Sequence, residues 1–210
     1  MFLLESFGGV KILTDTLKKI SSTAEAHWTS QLKRSLNPGS SFSQNWTKPP
    51  LNWLKINADS SFFDGSASTA FIVRNHNGSI VFAHSLQHQC TDSLVAEALA
   101  IHEACLFANH WKIAKVIFES DCLNAVHFIN DHNMVGHWSS KVIIDEIRKF
   151  WHLWPKWRFK YCPRNANFAA HNLASWASAS KWSGFIFENR IPISCFCDIG
   201  YPLVDSLVPS

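Results

Sequence analysis

The stretch Leu54-Lys55-Ile56-Asn57-Ala58-Asp59-Ser60-Ser61 decides how the rest of the chain reads. Apolar Leu54 and Ile56 alternate with polar Lys55 and Asn57, the period of a β-strand. Pro49-Pro50 just upstream stops a helix from running into it. The segment therefore reads as a core strand that delivers one carboxylate, Asp59, to its exposed end. Taken alone, such an aspartate is first of all a strand-end or turn residue, and only the company it keeps along the chain gives it chemistry.

Upstream, Val10, Leu13, Leu17, Ile20 and Ala24 recur at helical spacing, and Ser35 to Ser43 is a linker by composition. The expected organisation is a partly helical extension and linker over 1–45, a compact domain over 46–180 and a tail over 181–210. Downstream, Phe62-Phe63-Asp64-Gly65-Ser66 reads as a turn. Two β-rich runs follow, Thr69–Arg74 and Ser79–Ala83, joined through Asn75-His76-Asn77-Gly78, and Asn-Gly is a strong hairpin signal. Asp92 and Ser93 then offer an N-cap to a helix whose apolar stripe is Leu94, Ala98, Ile101, Cys105 and Ala108, with Glu97 at its edge.

Lys115–Asp121 is a strand ending in an acid, and Cys122–Asn130 a short helix. Residues 131–138 form a loop. Ser139 is placed to cap a further helix with Val142, Ile143, Ile147 and Phe150 as its apolar positions. Trp157–Cys162 alternates as a final strand, and Asn167–Ala179 is an alanine-rich helix carrying His171. This order predicts an α/β domain with a mixed sheet covered by helices. The aromatic tail from Lys181 is either an extended wrap over the domain or a loose end.

Composition sets limits. With 47% hydrophobic and 17% charged residues in 210, a packed core is expected. A formal charge of +3 permits nucleic acid as a partner without arguing for it. No apolar run reaches membrane-spanning length, and the N-terminus lacks the basic region and apolar core of a signal peptide. The scattered cysteines read as reduced thiols, and Cys195 and Cys197 lack the two-residue gap of a zinc half-site. These features point to an intracellular protein, in cytoplasm or nucleus, not secreted. Nothing speaks for an oligomer, and a monomer is assumed.

Asp59, Glu97 and Asp121 stand at comparable places, and converge if the first and fourth strands are neighbours. Clustered carboxylates repel unless a cation neutralises them. Hard divalent ions take oxygen ligands, and a pair about 3.5–4 Å apart can activate water and stabilise a leaving oxygen in phosphodiester cleavage. Each acid also has a plain structural reading, a turn residue for Asp59 and a helix-dipole partner for Glu97.

From about Trp46 to Ala179 the chain resembles the ribonuclease H type-1 family in its plant, reverse-transcriptase-like branch. The matching pieces, in order, are Trp53-Leu54-Lys55-Ile56-Asn57-Ala58-Asp59, Val73-Arg74-Asn75-His76-Asn77-Gly78, Ala96-Glu97-Ala98-Leu99-Ala100, Phe118-Glu119-Ser120-Asp121 and Pro163-Arg164-Asn165-Ala166-Asn167 with Ala170-His171-Asn172-Leu173-Ala174. The resemblance implies a ribonuclease H-like fold, a five-stranded mixed sheet flanked by helices, a Mg²⁺ or Mn²⁺ site, and the RNA strand of RNA–DNA hybrids as substrate. Asp59, Glu97 and Asp121 fall on three of the family's four catalytic carboxylates, and His171 falls on the fourth.

Ser60, Arg164 and Asn165 are then expected to face nucleic acid. Ser60 stands where the family usually has glycine, the loop after the last strand lacks a histidine that many active members keep, and 131–138 lacks a basic handle. Imidazole at 171 suits Mn²⁺ better than Mg²⁺. Lys160 and Arg164 read either as solvated strand-end cations or as phosphate contacts. Trp111, Trp138, Trp151, Trp154 and Trp157 read as core or rim aromatics, with base stacking as the alternative.

The leading expectation is thus a nucleic-acid-binding, metal-dependent endonuclease acting on hybrids. The alternatives are a catalytically weak or inactive module that binds A-form-like duplex, or a retroelement remnant.

Overall fold

The computed structural model describes residues 46–131, 138–186, 191 and 195. The expected N-terminal helix and linker, all of the 131–138 loop but its ends, Cys197 and most of the tail lie outside these residues. The elements run β1 (Leu54–Phe63), β2 (Ser66–Arg74), β3 (Ile80–Gln89), α1 (Ser93–His110), β4 (Val116–Ser120), α2 (Leu123–Asn130), α3 (Trp138–Leu153), β5 (Arg158–Tyr161), a 3₁₀ turn (Arg164–Ala166), α4 (Phe168–Ser180) and β6 (Gly184–Phe185).

Turn chemistry builds the antiparallel half. Asp64 and Gly65 both take left-handed φ, 47° and 72°, the pattern of a two-residue type I′ hairpin whose twist matches that of its strands. Phe63 therefore pairs Ser66 as the last rung of β1 and β2, and β1 runs two residues beyond the stretch quoted above. At the second turn the Asn75 carboxamide accepts from Asn77 N at 2.9 Å and Ser79 N at 3.1 Å, and Gly78 closes it at φ 89°.

The sheet order is β5-β4-β1-β2-β3-β6. β1 pairs β4 in parallel through the α1 crossover, and β4 pairs β5 in parallel. Six strands stand where five were expected. The extra one, β6, lies in the stretch read as tail and pairs the β3 edge, His84 with Phe185 and Ser85 with Gly184. Ile186, Ile191 and Cys195 are buried against the same side, so the described part of the tail wraps the domain.

The two faces of the sheet bury different things. Ile56, Ala58, Phe71, Val73 and Phe118 pack under α1, α2 and α3, with Trp157 and Phe159 closing the layer. The Trp157 ring meets Phe118 edge-on at 4.9 Å, and its indole N–H donates to Ile113 O at 2.8 Å, so the largest core side chain leaves no polar atom stranded. Ala70, Ile72 and Ala83 instead pack against Ala169, Leu173 and Ala174 of α4. Among the described residues no helix is long and apolar enough to cross a membrane.

Two local expectations need correction. α3 already includes Trp138, so Ser139 is not its cap; its hydroxyl donates to Asp92 Oδ2 at 3.1 Å. Val142 is 72% exposed while Ser140, Ile144 and Ile147 are buried, because the inward stripe of α3 follows the spacing 140, 144, 147. Asp92 does cap α1, accepting from Val95 N at 2.9 Å.

Candidate active site

From Lys55 to Asp59, β1 is buried on both faces, and the polar half of its alternation does not reach solvent there. Lys55, Asn57 and Asp59 are 3%, 0% and 0% exposed. Asp59 therefore sits mid-strand in the interior, not at an exposed end. What makes this tolerable is a hydrogen-bonded polar layer between β1 and the turn that opens α4. Lys55 Nζ meets Glu119 Oε1 at 2.7 Å and donates to Thr47 O at 2.6 Å. Asn57 donates to Glu119 Oε2 and to Asn167 Oδ1, each at 3.2 Å, and accepts from the Trp46 indole at 2.9 Å. The Lys55 ammonium and the Arg74 guanidinium lie over the Trp46 ring at 5.1 Å and 4.8 Å.

Asn167, fully buried, ends this layer and touches the acids. Its amide donates to Ala58 O at 3.0 Å, Asp59 Oδ2 at 3.1 Å and Asp121 Oδ1 at 3.2 Å. It was not singled out in the sequence, nor were Trp46, Asn57 and Glu119 as a group. The available signal was two carboxamides, Asn57 and Asn167, flanking acids in segments otherwise read as core.

The parallel pairing of β1 with β4 brings Asp121 beside Asp59, and α1 crosses over them with Glu97. One carboxylate oxygen from each of the three lies within 4.8 Å of the others. Ser60 N donates to Asp59 Oδ1 at 2.7 Å, and Ser60 Oγ donates to Glu97 Oε1 at 2.8 Å. Serine at this position thus fixes the glutamate. Glu97 Oε2 is buried with no hydrogen-bond partner among the described residues. Burial first, and then the Asp59 charge, lifts the Glu97 carboxyl well above its ordinary range. Burial also lifts Asp59, aided by Asp121, against the lowering influence of His171 and Arg164.

His171 and Arg164 complete the cluster. His171 Nδ1 stands 3.7 Å from Asp59 Oδ2. Arg164 Nη1 is 2.7 Å from Asp121 Oδ2 and 3.5 Å from Asp59 Oδ2, and its Nη2 is 3.1 Å from His171 Nε2. The structure therefore brings together Asp59, Glu97, Asp121, His171, Ser60 and Arg164. Asn165 is exposed on the 3₁₀ turn, outside the cluster. Cys122, next to Asp121, has its thiol pushed up to about 11, chiefly by burial, so it stays protonated and offers no thiolate. Trp157 is core, Trp151 and Trp154 pack against that core, and Trp111 and Trp138 are exposed, at the C-terminal end of α1 and the first turn of α3.

An all-oxygen trio with one buried, unpartnered carboxylate oxygen suits a hard divalent cation. Three carboxylates this close, two of them lifted by burial, carry more negative charge than the one Arg164 guanidinium offsets, and such an ion would balance the rest.

A family model described as reverse transcriptase-like matches residues 57–177, more than half of the chain. No curated protein sequence matches it. Among solved structures the chain is similar to ribonuclease H1 from the halophilic archaeon Halobacterium salinarum, with a TM-score of 0.57 at 16% identity, over 60% of this chain and 98% of that one. It is similar to LC11 ribonuclease H1, isolated from compost and solved in complex with an RNA/DNA hybrid, with a TM-score of 0.56 at 18% identity, over 61% and 98%. It is also similar to the N-terminal ribonuclease H domain of a Mycobacterium tuberculosis protein, with a TM-score of 0.54 at 15% identity, over 61% and 98%. At these identities the likeness is one of fold.

Proposed function

The chain belongs to the reverse transcriptase-like family and has a ribonuclease H-like fold, and on that premise we propose that it is a divalent-metal-dependent endonuclease cutting the RNA strand of RNA–DNA hybrids. The observation that carries this reading is the convergence of Asp59, Glu97 and Asp121 from β1, α1 and the end of β4. The hybrid bound in the LC11 relative supports the choice of substrate.

In this reading Asp59, Glu97 and Asp121 form the acidic site that takes the divalent ion, and His171 completes it. When bound, Mg²⁺ or Mn²⁺ supplies countercharge, activation of water and stabilisation of the leaving oxygen. The chain's own groups do the rest. Asn167 holds two of the acids at fixed separation, and Ser60 orients Glu97. The buried, water-poor floor strengthens every charge interaction above it. Ser60, Arg164 and the exposed Asn165 form the rim at which the nucleic acid backbone arrives. The five described cysteines are free thiols, which fits a protein working inside the cell.

The test is cleavage of a labelled RNA–DNA hybrid by wild type and Asp59→Asn, in Mg²⁺ and in Mn²⁺. Wild type is expected to cut the RNA strand, faster in Mn²⁺, and the variant not to cut. A wild type that leaves hybrid intact in both metals defeats the enzyme reading. His171 in the place of an acid favours a second reading, a module that retains duplex recognition with little catalysis. It predicts salt-dependent hybrid binding without cleavage, and absence of any binding removes it as well.

A further inference from the structure

We infer that Arg164 is a resident cation of the carboxylate site, so that the chain takes up one divalent ion, at Asp59 and Glu97, where a fourth acid at position 171 would call for two. This rests on the metal site proposed above. The geometry is direct. The guanidinium bridges Oδ2 of Asp121 and Oδ2 of Asp59 through Nη1, at 2.7 Å and 3.5 Å. A guanidinium is always charged and can only donate. Its Nη2, 3.1 Å from His171 Nε2, therefore makes that nitrogen an acceptor and puts the ring proton on Nδ1, the atom 3.7 Å from Asp59 Oδ2.

His171 thus does for the arginine what an acid there could not do without adding negative charge. It holds the guanidinium against the two aspartates and brings no negative charge of its own. The 3₁₀ turn fixes the arm, with Ala166 N donating to Pro163 O at 2.8 Å and Asn167 N to Arg164 O at 3.0 Å.

The charge count then selects the ion number. With the ion bound the acids are carboxylates, and three carboxylates less one guanidinium leave two negative charges, which that one divalent ion balances. Removing the guanidinium leaves three, and replacing His171 by an acid also leaves three. Either change invites a second ion. Glu97 is the acid that Arg164 does not contact in the structure, and its buried Oε2 is the oxygen without a partner. The single ion accordingly belongs on the Asp59–Glu97 side, and the arginine on the Asp121 side.

The experiment is a Mn²⁺ titration of the full chain followed by electron paramagnetic resonance of free Mn²⁺, with folding of each variant checked by circular dichroism. Wild type is expected to bind one ion. Arg164→Ala and His171→Asp are each expected to take up a second ion, or to bind the first roughly tenfold more tightly. Arg164→Lys, which keeps the charge, is expected to behave as wild type.

Two bound ions in wild type, or unchanged stoichiometry and affinity in Arg164→Ala, overturn the inference. Asp59→Asn separates this failure from that of the site. If it abolishes wild-type Mn²⁺ binding while Arg164→Ala changes nothing, only the resident-cation inference falls. If wild type binds no Mn²⁺, or binds it unaffected by Asp59→Asn, the metal site and the inference fall together.

Discussion

Glu97 is an acid whose surroundings oppose its charge. One of its oxygens takes the Ser60 hydroxyl, the other is buried without a partner, and burial together with Asp59 lifts the carboxyl well above its ordinary value. A group raised in this way costs the fold nothing while protonated. Its penalty begins as pH rises past 4.5, the value it has in an unfolded chain, and is complete above the folded value. Glu97→Gln is therefore expected to stabilise the protein in metal-free buffer at neutral pH, by about 2–4 °C in melting temperature for each kcal/mol relieved. The gain should vanish below pH 4.5, and saturating Mn²⁺ should reverse the order by stabilising wild type alone. Calorimetry of the two proteins across that pH range checks it, and a variant that melts lower than wild type at pH 7 without metal would refute it. The three acids of this cluster were legible because carboxylates at strand ends and at a helix edge are unusual in apolar segments, and His171 only through the family resemblance. Asn167 was not, since a carboxamide at a helix start reads as an ordinary cap. Its contacts are tertiary and leave no periodic trace.

At the level of elements, the two hairpins and the strand–helix–strand crossover were written in turn residues and in the change from period two to the helical period. β6 was not. A two-residue strand has no pattern of its own, and Gly184-Phe185 is placed by the open edge of β3 and by the burial of Ile186 beside it. α4 stops at Lys181 in a left-handed conformation, and Gln87 Nε2 then donates to Trp182 O at 2.8 Å, which steers the chain back to that edge. Ile186 is 1% exposed. Ile186→Ala is expected to lose about 2–5 kcal/mol. The urea midpoint should fall, while Mn²⁺ stoichiometry of the folded variant should be unchanged. A loss under 1 kcal/mol by the same scale would mean that the wrap contributes little. The inward face of α3 was misassigned for a related reason. Val142, Ile143 and Ile144 are three adjacent β-branched residues, and packing, not composition, chooses among them.

For the molecule as a whole, the sheet is a partition with an apolar side and a side whose centre is polar. Alternation in β1 ordinarily marks a strand with one wet face, so the sequence supported the strand and misled about what covers it. The cover is α4 and the turn before it, and the polar residues beneath are bound to one another from Trp46 to Asp121. At the base of this layer Lys55 and Glu119 form an ion pair, 2.7 Å apart with side chains 3% and 10% exposed. Removing one member strands the other's charge. Lys55→Met and Glu119→Leu are each expected to cost about 3–5 kcal/mol, and the double variant much less than their sum. Chemical denaturation of the four proteins completes the cycle, and additive losses would count against the pair.

The same coupling governs how such a chain can be inherited. Neither position can drift by itself without passing through a poorly folding intermediate. A lineage can leave the charged pair only by two substitutions made close together, or by one that a neighbouring change has already made harmless. Among descendants of this sequence, positions 55 and 119 should therefore change together, or singly only beside a compensating neighbour, even where the carboxylates above them have been lost.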